Sequence, residues 1–407
     1  MEKQKFALIG SSLKHSYSKI IHAKLGEYPY ELVELEENQL KAFVDSEVCG
    51  FNVTIPYKKK IIEYLDELDE SALKIGAVNT VVKRDGKAYG YNTDFKGMIY
   101  MLSRAGISVK DKCVLILGSG GTSNTATAVC EYLGAKEIIS VSRSGKVNYE
   151  NCYELTDTEI IINTTPVGMY PNTDGTPIDI DKFDKLLAVV DVIYNPRLTK
   201  LIYNAKEKGL KYTSGLPMLV AQAKYAKDLF YNQTSPDSVI ESVIDEIYSE
   251  TLNIVLIGMP GSGKSTIGEI LSEKLNREFI DTDEEIVKRV GKSIPEIFEE
   301  DGEEYFRKVE SEVLIEVGKQ SGKIIATGGG VVKNVLNYFP LKCNGKIFYL
   351  ERSIEKLSTD GRPLSKDRAT IEKLYQERKD AYKKFADITV NNDTDIEITV
   401  KGVIDNL

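Results

Sequence analysis

Metal-binding side chains are scarce in this sequence. Its 407 residues include two histidines and five cysteines, and no two cysteines are spaced as Cys-x-x-Cys. An odd number of scattered cysteines offers no cluster of metal ligands. We therefore expect small buried thiols in a reducing compartment, and we expect His15 and His22 to be local hydrogen-bond partners. Together with the apolar runs described next, which are too short for a signal peptide or a membrane span, these features lead us to expect a cytoplasmic protein.

Basic patches and long apolar runs are missing as well. The net charge is −9, and acidic residues outnumber basic ones in both halves of the chain. Nucleic-acid binding therefore has no electrostatic support. The apolar run FALIG near the start is too short for a signal peptide, and no stretch is long enough to span a membrane. We expect small-molecule partners, with neither nucleic acid nor membrane, and the oligomeric state is left open.

What the sequence contains is the alternation of short apolar runs and helical patterns that is typical of α/β proteins. A chain of 407 residues indicates two or three domains. Residues 1–97 favour a parallel or mixed sheet with helices, and the stretch from 114 to about 212 favours a doubly wound nucleotide domain. The strands predicted for that second stretch are 114–117, 137–141, 159–163, 188–192 and near 210–213.

A domain boundary is predicted near residue 250. The segment TSPDSVIESVIDEIYSE reads as a helix with Ser235 as its N-cap and Pro236 in its first turn. A strand follows within two or three residues, at 254–257, and no glycine-, serine- or proline-rich tether separates the two. We therefore expect an abrupt boundary.

The segment GMPGSGKS (258–265) follows this strand and matches the pattern G-x-x-x-x-G-K-[ST]. In such a loop the backbone amides and the helix N-terminus bind phosphate oxygens. Lys264 can reach the outer phosphates, and the Ser265 hydroxyl can ligate Mg²⁺. A GTPase would also need an Asn-Lys-x-Asp segment to recognise guanine, and the sequence contains none.

Acidic and basic residues that suit a kinase follow this loop. In FIDTDEEI, Asp281 and Asp283 stand two apart at a strand end and therefore on the same side. In GEEYFRKVE, Arg307 stands three residues before Glu310 on a helix, where the two could form a surface pair. A glycine triplet at 328–330 and further arginines at 362 and 378 complete the set.

These motifs, in this order and over nearly all of 251–407, resemble shikimate kinase. The resemblance implies that Asp283 binds the ring hydroxyls of shikimate and acts as base or orienter for the attacking oxygen. The substrate carboxylate would be held by Arg307, Arg378 and the amides of Gly329 and Gly330. The ATP site would consist of Gly258, Gly261, Ser262, Gly263, Lys264, Ser265, Thr266 and the lid residue Arg362. Phosphoryl transfer needs charge neutralisation and alignment, which such a set supplies.

Two points of this kinase site stay open. Asp281 could ligate Mg²⁺ directly, assist it indirectly or cap the strand. The stretch ERSIEKLSTDGRPLS (351–365) is shorter than the family's usual approach to the lid. It also lacks the additional arginine often found there against the adenine, so the adenine contacts are not predicted.

A second glycine-rich loop, GSGGTS (118–123), has Ser123 where a dinucleotide fingerprint would have its third glycine. The following strand, EIISVSRS, ends in Ser142, Arg143 and Ser144. An acid at this place favours NAD, whereas an arginine suits the 2′-phosphate of NADP. The loop and Arg143 together therefore predict NADP, although Arg143 alone could be a solvated loop charge.

The motifs H-S-x-S, N-V-T-x-P-x-K, G-A-V-N-T, N-T-D, Y-N-P and M-L-V-x-Q-A occur in this order and resemble shikimate dehydrogenase over essentially all of 1–250. The resemblance implies a catalytic pair, Lys58 and Asp94, although on spacing alone Lys58 is one of a surface run of three lysines. Shikimate would be bound by Ser16, Ser18, Thr54, Asn79, Asp94, Tyr194 and Gln222. NADP would be bound by Gly118, Ser119, Gly120, Gly121, Thr122, Ser142, Arg143, Ser144, Gly215 and Met218. Phe95 departs from the family, in which glycine is common at this place, and we expect it to narrow the cleft.

We therefore predict an α/β protein with an N-terminal α/β substrate domain (1–98 and 214–250), a Rossmann NADP domain (99–213) and a P-loop NTPase-type kinase domain (251–407). It would use NADPH, ATP and Mg²⁺ to convert 3-dehydroshikimate to shikimate and then to shikimate 3-phosphate. One alternative is a quinate-type dehydrogenase with NAD, fused to another small-molecule kinase. Another is that one half is a non-catalytic sensor.

Overall fold

The computed structural model describes residues 4–13, 16–357 and 368–407. The chain forms two units, Met1–Glu246 and Ile247–Leu407. Across the described ranges, no helix combines the length and apolar character needed to cross a bilayer. Each unit is an α/β structure, as predicted, and the first unit contains two sheets.

The first sheet mixes parallel and antiparallel strands. Its strands are β1 (Phe6–Gly10), β2 (Tyr30–Glu34), β3 (Gly50–Val53), β4 (Glu67–Leu68), β5 (Thr80–Arg84) and β6 (Lys87–Tyr91). Its helices are α1 (Ser18–Leu25), α2 (Leu40–Val44), α3 (Glu70–Ile75) and α4 (Thr93–Arg104). The strand order is β2-β1-β3-β5-β6-β4, with β5 antiparallel to both of its neighbours. Strands β1 and β3 are buried along their whole length, and their residues are apolar except for Asn52 of β3.

The second sheet is parallel throughout and has the order β11-β10-β9-β7-β8. Its strands are β7 (Cys113–Leu117), β8 (Glu137–Val141), β9 (Ile160–Asn163), β10 (Ala188–Asp191) and β11 (Lys211–Thr213). Its helices are α5 (Gly121–Tyr132) and α6 (Lys200–Glu207), and α7 (Leu216–Tyr231) follows β11. All five predicted strands are present. The chain reverses its direction of winding at β7, so the glycine-rich loop after β7 opens at the switch point where ligands bind in such sheets.

Helices α4 and α7 connect the two sheets of the first unit. Met98 and Met101 of α4 and Met218 of α7 pack in the core of the second sheet, whereas Phe230 of α7 packs in the core of the first. The helices approach closely at Gly97, where a Cβ atom would lie 2.8 Å from the Met218 carbonyl oxygen. Glycine at this position therefore lets the two helices meet backbone to backbone.

Helix α8 (Ser238–Thr251) begins later than predicted, so the prediction of Ser235 as its N-cap is wrong. The Ser235 hydroxyl donates to Asp228 Oδ1 at 2.6 Å, and its amide donates to the same carboxylate. This serine therefore anchors the preceding loop to α7. The cause is an acceptor on another helix, which a local capping pattern does not reveal.

The second unit is a parallel sheet with the order β13-β14-β12-β15-β16. Its strands are β12 (Asn253–Ile257), β13 (Phe279–Asp281), β14 (Ile324–Ala326), β15 (Gly345–Glu351) and β16 (Ile388–Asn391). Its helices are α9 (Lys264–Leu275), α10 (Thr282–Val290), α11 (Ile294–Glu300), α12 (Gly302–Gly318), α13 (Tyr338–Lys342), α14 (Arg368–Phe385) and α15 (Ile396–Ile404). Because all strands run the same way, the loops after β12, β13, β14, β15 and β16 share one edge of the sheet.

Candidate active sites

Lys58 and Asp94 form an ion pair in the first unit. Lys58 follows β3 in a turn, where its carbonyl accepts from the Val78 amide at 2.8 Å. Asp94 lies in the first turn of α4, which Asn92 caps by accepting from the amide of Phe95. Lys58 Nζ donates to Asp94 Oδ2 at 2.6 Å, and the side chains are 21% and 12% exposed. The Lys58 ammonium is therefore held in place by Asp94, and both side chains have limited access to water.

Asn79 and Gln222 lie close to this pair. Asn79 Oδ1 accepts from the backbone amide of Thr93, the residue before Asp94, at 2.7 Å. Asn79 Nδ2 donates to Gln222 Oε1 at 3.5 Å, and both side chains are largely buried. These bonds join the residue before β5 to α4 and α7 near the place where the two helices meet.

Sequence reasoning missed the support beneath Asn79. The Tyr30 hydroxyl donates to Asn52 Oδ1 at 2.7 Å, and Asn52 Nδ2 donates to Thr80 Oγ1 at 3.0 Å. Thr80 Oγ1 in turn lies 3.0 Å from Thr93 Oγ1. The available signal was Asn52 itself, a polar residue inside a fully buried strand, because such a group needs partners.

A cavity of about 280 Å³ gathers three predicted substrate residues: Ser16, Thr54 and Tyr194. Burial, followed by the neighbouring Tyr17 ring, raises the pKa of Tyr194 to about 12, so its hydroxyl stays protonated and can donate a hydrogen bond. Ser18 begins α1, and its amide donates to Ser16 Oγ at 3.2 Å. The lining residues that the sequence did not indicate are Ser12, Leu13, Met169, Tyr170, Pro171 and Asn195.

Phe95, for which we expected a narrowed cleft, directs its ring toward α5. The ring lies edge-on to Tyr132, with centroids 5.5 Å apart. Phe95 also packs against Ile75, Ala77 and Ala128. The position therefore contributes to packing between the two sheets of this unit.

The glycine-rich loop after β7 has the shape of a phosphate site. Gly118 has φ +116°, and a Cβ atom there would lie 2.6 Å from Thr164 Oγ1. A Cβ at Gly120 or Gly121 would meet nothing within 4 Å, so the space above the helix start is open. Ser123 is buried, and its hydroxyl donates to the Gly118 carbonyl at 2.9 Å. Ser123 therefore forms a hydrogen bond across the loop, which a glycine at this position could not form.

The other predicted NADP residues lie at the same edge of the sheet. Strands β7 and β8 are paired up to Leu117 and Val141, so Ser142, Arg143 and Ser144 follow β8 beside the glycine loop. Arg143 and Ser144 are exposed, as is Ser119, and Thr122 lies in the first turn of α5. Gly215 precedes α7, and a Cβ there would collide with the Val192 carbonyl. Met218 is buried.

The Tyr194 segment is tied to the sheet by a buried carboxylate. Asp191 ends β10 and accepts from Thr199 Oγ1 at 2.7 Å, from Asn163 Nδ2 at 3.0 Å and from the amide of Ile193. Burial raises the pKa of Asp191 to about 7, and these hydrogen bonds oppose the rise. The carboxylate therefore fixes both ends of the segment that carries Tyr194.

In the second unit, the segment 258–265 forms a phosphate loop between β12 and α9. Gly258, Gly261 and Gly263 all have positive φ, the conformation that favours glycine. Lys264 Nζ is buried and donates to the Gly258 and Met259 carbonyls at 3.0 Å each. The Ser262 side chain is fully buried, and Thr266 is exposed on the first turn of α9.

Ser265 and Asp281 provide oxygen ligands of the kind that Mg²⁺ prefers. Ser265 Oγ donates to Asp281 Oδ2 at 2.7 Å. Asp281 also caps α10 by accepting from the Asp283 amide at 2.9 Å. Within the described ranges no group of three or more acidic, histidine or cysteine side chains could hold a metal on its own. Any Mg²⁺ here would therefore complete its ligands with phosphate oxygens and water.

One cavity of about 280 Å³ lies beside this loop. Pro260 of the loop borders it, and a Cβ at Gly329 would lie 2.6 Å from Pro260 Cδ, so loop and cavity wall touch. A Cβ at Gly328 would lie 2.8 Å from Asp283 Oδ1. The predicted residues that line the cavity are Lys264, Ser265, Asp281, Asp283, Arg307, Gly329, Gly330 and Arg378.

Arg307 lines this cavity and also forms the pair that its spacing allows. Its Nη1 donates to Glu310 Oε2 at 2.9 Å, and its Nε and Nη2 donate to Glu303 Oε1. The pair is internal, because the Glu310 side chain is only 1% exposed. Burial raises the pKa of Glu310, which Arg307 opposes. A Cβ at Gly330 would collide with the Arg307 guanidinium, so the arginine lies directly against this glycine.

Arg378 is buried on α14 and contacts the glycine triplet. Its Nη1 donates to the Gly329 carbonyl at 2.8 Å, and the Tyr382 hydroxyl donates to the same oxygen at 2.5 Å. Its Nε is buried and has no hydrogen-bond partner among the described residues. The predicted lid residue Arg362 lies outside the described residues.

Two family models match the chain. The model described as shikimate dehydrogenase substrate binding domain matches residues 8–81, and the model described as shikimate kinase matches residues 260–407. The shikimate dehydrogenase (NADP(+)) of Clostridium beijerinckii is 40% identical over 249 residues, which cover 55% of this chain and 91% of the relative. That of Caldicellulosiruptor bescii is 38% identical over 277 residues, which cover 60% of this chain and 95% of the relative.

Solved structures agree with these relatives. A chorismate mutase/shikimate 5-dehydrogenase fusion protein from Clostridium acetobutylicum has a TM-score of 0.59 at 32% identity and covers 61% of this chain and 98% of its own. A shikimate 5-dehydrogenase from Thermus thermophilus, in complex with NADP(H) and shikimate, has a TM-score of 0.54 at 29% identity. It covers 60% of this chain and 99% of its own.

Proposed function

We propose that this chain, which belongs to the shikimate dehydrogenase family and carries a shikimate kinase domain after its dehydrogenase part, catalyses two consecutive reactions. It reduces 3-dehydroshikimate to shikimate with NADPH, and it phosphorylates shikimate with MgATP to shikimate 3-phosphate. Both are steps of chorismate and aromatic amino-acid biosynthesis. The proposed division is a substrate domain at 1–98 and 214–250, an NADP domain at 99–213 and a kinase domain at 251–407.

One observation carries the proposal: a single chain holds the Lys58–Asp94 ion pair and also a cavity lined by Lys264, Asp283 and Arg378. If one half were a non-catalytic sensor, that half would not need its set of catalytic residues. We also propose that the protein acts in the cytoplasm on small molecules, with neither nucleic acid nor membrane as partner. The five free thiols support a cytoplasmic location. The net charge of −9 argues against a nucleic-acid partner.

In the reduction, Lys58 donates the proton. NADPH, when bound, supplies a hydride, and negative charge then grows on the ketone oxygen of the substrate. The Lys58 ammonium can stabilise that charge and deliver its proton, because it is held in place and only one-fifth exposed. Asp94 holds the ammonium in place through the 2.6 Å hydrogen bond, and Asn79 and Gln222 hold the ring hydroxyls.

In the phosphorylation, Asp283 orients the substrate hydroxyl and accepts its proton. Arg307 and Arg378, which line the same cavity beside the glycine triplet, bind the substrate carboxylate. Lys264 neutralises the outer phosphates. Ser265 and Asp281 would hold Mg²⁺, which offsets phosphate charge when it is bound.

The preference for NADPH should depend on Arg143. Replacing Arg143 by alanine removes a cation beside the glycine loop, where a 2′-phosphate would lie. Losing a charge-assisted hydrogen bond costs about tenfold to a hundredfold in binding, so we expect KM for NADPH to rise by that factor while activity with NADH is unchanged. Steady-state rates with both cofactors measure this. Equal losses with NADPH and NADH would show that Arg143 does not recognise the 2′-phosphate.

The proposed function itself is tested with the purified full-length protein. We expect NADPH oxidation with 3-dehydroshikimate and ATP-dependent formation of shikimate 3-phosphate from shikimate. The competing substrate, quinate, should be oxidised with NADP⁺ far more slowly than shikimate. A protein that prefers quinate and NAD⁺, or that performs only one of the two reactions, would contradict the proposal.

A further inference from the structure

The strand order of the second unit indicates the direction in which a nucleotide extends from the phosphate loop. The acceptor cavity is lined at the sheet edge by Asp281, which ends β13, by Asp283 and by the glycines at 328–330 after β14. Strand β14 flanks β12 on one side, and β15 flanks it on the other. Because the terminal phosphate must face the cavity, the remaining phosphates and the nucleoside extend from the loop toward the carboxyl ends of β15 and β16.

Arg352 is the first residue after β15 and lies against the phosphate loop. A Cβ at Gly263 would lie 3.5 Å from Arg352 Nη1 and 3.0 Å from Asn392 Nδ2. Gly263 is the last glycine of the loop and precedes α9. A guanidinium group therefore stands beside the helix N-terminus where phosphate oxygens bind, on the side away from the acceptor cavity.

The two neighbours of Gly263 differ in their bonding. Asn392 is committed, because its Nδ2 donates to the Ser262 carbonyl at 2.5 Å and its Oδ1 accepts from Thr399 Oγ1 at 2.9 Å. Arg352 Nε, in contrast, is buried and has no hydrogen-bond partner among the described residues. The nearby carboxylate of Asp393 accepts from the Ser353 amide and hydroxyl, both at 2.8 Å. A buried guanidinium nitrogen without an acceptor is costly, and a phosphate oxygen would satisfy it.

We propose that Arg352 binds the phosphates of the nucleotide that remain in ADP. The proposal rests on the proposed kinase function of this unit and adds a cation that the nucleotide-binding pattern does not contain. Because Arg352 lies away from the acceptor, it contacts substrate and product nucleotide alike. Such a uniform interaction lowers KM for ATP and leaves kcat unchanged.

The test compares the variants Arg352→Ala and Arg352→Gln with the wild type in the full chain. Losing a charge-assisted hydrogen bond predicts that KM for ATP rises about tenfold to a hundredfold while kcat and KM for shikimate stay the same. The dissociation constant of ADP, measured by calorimetry, should rise by the same factor. Arg352→Lys keeps the charge without the planar fork and should fall between wild type and alanine.

Arg289→Ala is the matched control. This arginine lies in the same unit, is 40% exposed and is paired only loosely with Glu312, at 3.8 Å. We expect it to leave ADP affinity unchanged, and thermal unfolding of every variant confirms that the unit is folded. An unchanged ADP affinity in both Arg352→Ala and Arg352→Gln would overturn the proposal, as would a loss confined to kcat.

These outcomes separate the proposal from the function on which it rests. A wild type that binds ADP without phosphorylating shikimate overturns the kinase function, and the role of Arg352 is then decided by ADP affinity alone. A wild type that does not bind ADP overturns both.

Discussion

Replacing Lys58 by alanine is expected to lower the rate of 3-dehydroshikimate reduction by about 10²- to 10⁴-fold, the range that a positioned general acid contributes. The side chain is only 21% exposed and its Nζ lies 2.6 Å from Asp94, so the variant loses the cation that this carboxylate positions. The defect should lie in kcat, because the proton is transferred only as the oxygen gains charge. Spectrophotometry of NADPH oxidation measures this, and phosphorylation of added shikimate should be unaffected.

Lys59→Ala is the control for this prediction. Lys59 is the next residue of the lysine run and is exposed. We expect its variant to keep the wild-type reduction rate. Equal losses in the two variants would mean that the run acts through its summed charge, and a Lys58→Ala variant at near wild-type rate would remove Lys58 from the reaction.

Replacing Asp283 by asparagine is expected to lower shikimate phosphorylation by about 10²- to 10⁴-fold while reduction continues at its normal rate. Asparagine keeps the shape and can still bind a hydroxyl, but it cannot accept the proton that leaves the attacking oxygen. The Asp283 carboxylate borders the same cavity as Lys264 and Arg378. The backbone amide of Asp283 donates a hydrogen bond to Asp281. A coupled assay for ADP with shikimate as acceptor measures the loss.

Glu284→Gln serves as the neighbouring control, because Glu284 is an exposed carboxylate one residue along α10. Its variant should phosphorylate shikimate at the wild-type rate. If Asp283→Asn raised KM for shikimate and left kcat intact, Asp283 would be a binding residue alone. If reduction fell together with phosphorylation, the assignment of one activity to each unit would be wrong.

Local patterns were sufficient where the chemistry depends on consecutive residues. Both glycine loops could be placed from the sequence, because one short segment contains the apolar run of a strand, the glycines of the loop and the start of a helix. The five strands of the second sheet were predicted for the same reason, as each is a short apolar run between turns. The order of the motifs also indicated the two families, which the comparisons support.

Side chains that depend on distant partners were not predictable in this way. Ser235 was predicted to cap the following helix. Its hydroxyl instead donates to Asp228 of the preceding helix, a contact that the local sequence pattern does not show. The bonds from Tyr30 through Asn52 to Thr80 join three strands, and their contacts follow from sheet order. The position of Arg352 beside the phosphate loop was not predictable from the sequence, because it depends on β15 lying next to β12 in the sheet.

The central claim is that one small hydroxylated carboxylic acid is bound at two separate places in the same chain. Calorimetric titration of shikimate into the full-length protein, with ADP present and NADP⁺ omitted so that shikimate is not oxidised, tests this most directly. We predict two molecules of shikimate per chain. A stoichiometry of one or none would contradict the account.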